Sequence, residues 1–93
     1  MNKEKLELIR SKIDRLDNSL LGIIKKRTEL VNKVIKLKKY KKQIIDKDRI
    51  KKVLKNIKRL SIKKNIDPQI TQRIWLSMIK SYIEYEKKIF KKK

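Results

Sequence analysis

The chain has 93 residues, of which 43% are charged and 39% hydrophobic, and its formal net charge is +20. That length makes one small domain, residues 1–93, with a thin core of its own, so a partner subunit is expected. Cysteine and histidine are both missing, which excludes a disulfide framework, thiolate metal sites and the commonest metal ligand.

No apolar run approaches the roughly 20 residues of a membrane span, and the N-terminus shows no secretory leader pattern. A cytoplasmic protein with no metal, no cofactor and no membrane partner is the expectation. The expected fold class is all-α: three helices, one long and two shorter.

The first helix is read from about residue 3 to about residue 41. Its apolar seam is Leu6, Ile9, Ile13, Leu16, Leu20, Ile23, Arg27, Leu30, Val34 and Leu37. The steps alternate between three and four residues, the period of a helix packed along its whole length. Gly22 is a local weak point, about 1 kcal/mol worse than alanine, but does not interrupt the pattern. Asp46 is a fitting N-cap for a second helix, about 47–63, with Ile50, Val53, Leu54, Ile57 and Leu60 on one face. In "KKNIDPQ", Asp67 as N-cap and Pro68 at the first helical position open a third helix, about 68–91. Its apolar face is Ile70, Ile74, Met78, Tyr82, Tyr85 and Ile89, with Trp75 and Ile79 alongside. "KKIFKKK" at the end reads as a frayed basic tail.

A helix of about 39 residues is about 58 Å long. A compact chain of this size has a radius of gyration near 12 Å. The first helix must project from its own domain, and its seam stays apolar to the far end. An intertwined homodimer with two-fold symmetry is the simplest way to cover it.

The charge has a bland reading. Only six of the 30 basic residues are arginine, and a tilt to lysine and isoleucine is what an AT-rich coding sequence produces. The arginines are then the less expected residues. Arg15, Arg59 and Arg73 read as surface charge. Arg27 is different, because it stands in the seam between Ile23 and Leu30. A guanidinium buried there without a counter-charge would cost several kcal/mol. Asp46 and Glu86 are candidate protein partners. A ligand carboxylate is the alternative, since it takes the guanidinium fork bidentately.

Lys38 lies on roughly the same side as Arg27, about 16 Å further along the helix. Arg10 is about 25 Å back from Arg27 and cannot share a small ligand with it in one chain. Arg10 of an antiparallel partner could, and Arg49 in the first turn of the second helix could close the pocket. The result is a positive cavity suited to a compact dianion.

Three quoted runs carry a family resemblance: "LELIRSKIDRLDNSLLGIIKKRTELVNKVIKLKK", "IIDKDRIKKVL" and "NIDPQITQRIWLSMIKSYIEYEKK". Together, from about Leu6 to Glu86, they resemble the all-helical class of chorismate mutases, including the related isochorismate-pyruvate lyases. The resemblance implies an entwined dimer with two equivalent sites and the Claisen rearrangement of chorismate to prephenate, in aromatic amino acid biosynthesis. No metal, cofactor or covalent intermediate is implied. Arg10 from the partner chain would hold one substrate carboxylate and Arg27 the other, with Arg49 in support. Lys38 would donate to the ether oxygen, and Glu86 would be the second donor there. Asp46 would give a backbone contact to the substrate hydroxyl, and Val34 and Ile79 would be apolar walls.

Two positions depart from the family pattern. Ile50 stands where many members have a glutamate that binds the substrate hydroxyl, and Tyr82 where a small polar residue is common. Both are among the residues expected to line the substrate, and both lean toward the lyases. A nucleic-acid-binding protein is a reading of a different class, supported by runs such as "KLKKYKK". Against it, lysines surround every helix and no recognition motif stands out, so no specific nucleic-acid partner is expected. A coiled-coil scaffold is disfavoured by Arg27, which would weaken pairing without a role.

Overall fold

The structure, a computed structural model, describes residues 2–91. Three α-helices and one short 3-10 turn follow in order: α1 Lys3–Leu37, the turn Lys41–Ile44, α2 Lys47–Lys63 and α3 Pro68–Lys91. No strand occurs among the described residues. None of their helices is long and apolar enough to cross a membrane. The chain divides into two compact units, a first up to Val34 and a second from Ile35.

The first unit is helical from Lys3 onward, and the helix runs through Gly22 unbroken. Asn2 starts it, its side-chain oxygen accepting from the Glu4 and Lys5 amides at 3.0 and 3.2 Å. This satisfies donors that the first turn leaves without helical partners. The seam is bare: Ile9, Ile13, Leu16, Leu20, Ile23, Leu30 and Val34 are all exposed, Leu16 by 69%. Arg27 is half-buried instead, and its Nη1 is shielded from solvent.

In the second unit α3 packs against α2 and against the 3-10 turn. Ile35 and Ile44 are its fully buried apolar side chains, 2% and 4% exposed. The α2 face of Ile50, Val53, Leu54, Ile57 and Leu60 is half-buried, as its spacing predicts. Asp46 caps α2, its Oδ1 accepting from the Arg49 amide at 3.0 Å, and Asp67 accepts from the Gln69 amide at 2.9 Å beside Pro68.

The α2–α3 corner is a complete left-handed helix stop. Asn65 takes φ 58°, the Asn65 amide donates to Ile62 O at 3.1 Å and the Ile66 amide to Ser61 O at 2.8 Å. These two bonds answer the orphan carbonyls of the last turn. Beside the corner, the Ser61 and Thr71 hydroxyls share a buried hydrogen bond of 2.7 Å, and the Gln72 side-chain Nε2 donates to Leu54 O at 2.9 Å.

Three sequence expectations need correcting. First, α1 ends at Leu37, not near residue 41. The amides that would continue it are diverted: Lys38 N–H turns to Ile35 O at 3.1 Å, and those of Lys39 and Tyr40 go to the Gln43 side chain. Second, the α3 face is rotated at its start. Ile70 and Ile74 are 55% and 49% exposed, while Thr71 is buried and Trp75 half-buried. The Ser61–Thr71 and Gln72–Leu54 hydrogen bonds lie on the side of α3 that faces α2. Third, α3 ends at Lys91 as its expected span has it, but residues 87–91, read as frayed, are helical, with Ile89 and Phe90 half-buried. Residues 92 and 93 lie outside the described part.

Candidate active site

Lys38 is the first residue past α1, held at the mouth of the corner that leads to α2. Its ammonium Nζ donates to Glu86 Oε1 on α3 at 3.1 Å, with the two side chains only 18% and 10% exposed. A lysine in the run "KLKKYKKQ" would ordinarily be solvated. This one is drawn inward, because a carboxylate on the inner face of α3 needs a counter-charge.

Lys38, Gln43, Ile45, Asp46, Lys47 and Asp48 line a cavity of about 480 Å³. Asp46 therefore shares a cavity with Lys38, though its carboxylate is already engaged in capping α2. Arg49 follows one turn on with its side chain exposed, and Ile50 beside it is half-buried. On α3, Ile79 and Tyr82 are half-buried, and Tyr82 packs edge-on against Tyr85 with ring centres 6.3 Å apart. The edge-to-face arrangement stabilises an aromatic pair beyond its buried area.

The remaining expected site residues lie in the first unit. Val34 is 47% exposed on the seam. Arg10 is far up α1, its side chain 61% exposed, and its Nη1 meets Glu7 Oε1 at 3.1 Å one turn away. A pair of that exposure contributes little to stability, so Arg10 remains available to another partner. Arg10 and Arg27 sit about 25 Å apart on the same helix, too far to grip one small molecule from one chain.

Gln43 is the residue of this region that the sequence reading passed over. Tyrosine instead of Ser, Thr, Asp or Asn three residues before it leaves the helix-start signature incomplete in the sequence.

The sequence profile of the family described as Chorismate mutase type II matches residues 9–87. The chain belongs to that family. No curated protein and no solved structure matches it significantly. The match covers every expected chorismate mutase site residue from Arg10 to Glu86, on all three helices.

Proposed function

We propose that the protein is a chorismate mutase that rearranges chorismate to prephenate and works as a homodimer. The observation that carries this reading is the Lys38–Glu86 pair, two nearly buried charges meeting at 3.1 Å beside a cavity that Asp46 also lines.

A Claisen rearrangement moves electrons around a ring. One C–O bond breaks as one C–C bond forms, so no nucleophile, base or redox partner is required. The protein's work is to hold the compact conformer of the substrate and to place positive charge where negative charge grows. Arg27 and the partner's Arg10 take the two carboxylates. The Lys38 ammonium donates to the ether oxygen as it gains charge. Glu86 stands at the second position facing the same oxygen. Arg49 supports the carboxylate side, Asp46 meets the hydroxyl through its backbone, and Val34, Ile79 and Tyr82 form walls.

The homodimer rests on the bare seam of α1. Eight of its apolar side chains are roughly half exposed or more, from Val34 at 47% to Leu37 at 81%. Covering them with a second copy is worth on the order of 10 kcal/mol. The same arrangement would bring Arg10 of one chain toward Arg27 of the other, solving the distance problem.

A second reading stays on the same fold. Ile50 is half-buried and supplies no polar contact for the substrate hydroxyl, which suits an isochorismate-pyruvate lyase. The test uses purified protein with chorismate in one cuvette and isochorismate in another. Loss of chorismate absorbance with prephenate formed, reduced about 100-fold or more by Arg27→Ala, supports the mutase. Pyruvate released from isochorismate alone supports the lyase, and inactivity on both removes the enzymatic reading.

A further inference from the structure

Nothing in "KVIKLKKYKKQII" carries the usual marks of a helix end. There is no glycine, proline, serine or asparagine between Ile35 and Gln43, and lysine and leucine are good helix formers. Yet α1 stops at Leu37. The stop comes from a side chain. Gln43 Oε1 accepts from the Lys39 amide at 2.7 Å and from the Tyr40 amide at 2.8 Å. In a continuing helix those two amides would bond to Ile35 and Lys36 carbonyls, four residues back. The Gln43 amide in turn donates to Tyr40 O at 3.0 Å, closing the 3-10 turn. Ile35 before the corner and Ile44 after it are both buried, so the corner is anchored at its two ends and laced in the middle by one carboxamide.

Lys38 lies inside this corner. Had the helix continued, its amide would bond to Val34 O; instead it bonds to Ile35 O, and the side chain leaves the backbone at the angle that meets Glu86. We propose that Gln43 is the positioning residue for Lys38: its side-chain oxygen ends α1 at Leu37 and so sets the lysine ammonium against α3. This deepens the functional reading above and rests on it for its kinetic consequence. A donor that acts on charge developing in the transition state is lost from kcat when it is misplaced, with KM little changed.

The test has a structural arm and a kinetic arm. Backbone carbon chemical shifts at residues 38–40 are measured by NMR in the substrate-free protein, wild type, Gln43→Leu and Gln43→Glu, with a thermal melt of each. Gln43 is exposed, so all three are expected to fold. Gln43→Leu is expected to move those shifts to helical values, and Gln43→Glu, which keeps an acceptor oxygen at the same reach, to leave them as in the wild type. Unchanged shifts in Gln43→Leu, or equal changes in both variants, overturn the proposal.

In the kinetic arm, Gln43→Leu is expected to lower kcat on chorismate about 10- to 100-fold with KM within about threefold. In a Lys38→Ala background the same change is expected to add nothing. A fully additive loss in that background overturns the proposal. A wild-type protein inert to chorismate defeats the functional reading alone, and the shifts still decide the role of Gln43.

Discussion

Lys38 and Glu86 neutralise one another in the free protein, and the mechanism sets both against one oxygen. A carboxylate at Glu86 would repel the ether oxygen as its charge grows, whereas a carboxamide donates to it. Glu86→Gln is therefore expected to stay active on chorismate, and Glu86→Ala to lose kcat about 10-fold or more. Steady-state kinetics of the two variants check this, and a Glu86→Ala protein as active as the wild type would take Glu86 out of the reaction. The seam arginine was legible in the sequence as an anomaly, because Arg27 breaks an otherwise apolar series. The Lys38–Glu86 contact was not, since the two residues stand 48 positions apart and no local pattern links them. The family resemblance placed both at the substrate's ether oxygen, and the fold adds that they touch.

At the scale of the elements, the starts and ends of α2 and α3 were legible and the end of α1 was not. Asp46 and Asp67–Pro68 announce α2 and α3 in their own side chains. The end of α1 depends on Gln43, six residues later, competing for amides that propensity would leave in the helix. The end of α3 falls at Lys91, as its expected span has it, with Ile89 and Phe90 half-buried among the lysines. The end of α2 is held by Asn65 at φ 58°, a conformation that costs a residue with a β-carbon up to about 1–2 kcal/mol and glycine almost nothing. Asn65→Gly is expected to stabilise the protein by a few tenths to about 1 kcal/mol, and Asn65→Ala to destabilise it by about 1 kcal/mol. Urea denaturation midpoints check both signs. The Ser61–Thr71 bond beside this corner is a polar pair on the α2-facing side of α3, which no apolar periodicity marks.

For the whole molecule, an apolar seam along α1 is the feature that a single chain leaves without a role. The three- and four-residue steps made the seam legible and its length called for a second copy. Leu20 is 51% exposed in one chain. A surface change there would alter monomer stability by about 0.5 kcal/mol or less. In a dimer seam, Leu20→Glu buries a charge against apolar neighbours and is expected to halve the mass seen by sedimentation and to abolish activity. An unchanged mass would place Leu20 outside any interface. The +20 charge adds long-range attraction for a dianion, and with it a sensitivity of kcat/KM to salt.

Subunit complementation tests most directly whether each site is shared between chains. Arg10→Ala and Arg27→Ala are each expected to be inactive on chorismate as homodimers. Mixed in equal amounts, unfolded and refolded together, they form hybrids in which one site has both arginines and the other neither. With random pairing about half of the dimers are hybrids, and recovery of about a quarter of the wild-type rate is expected. A mixture that stays as inactive as its parents, under conditions where hybrids are shown to form, would contradict a site built from two chains.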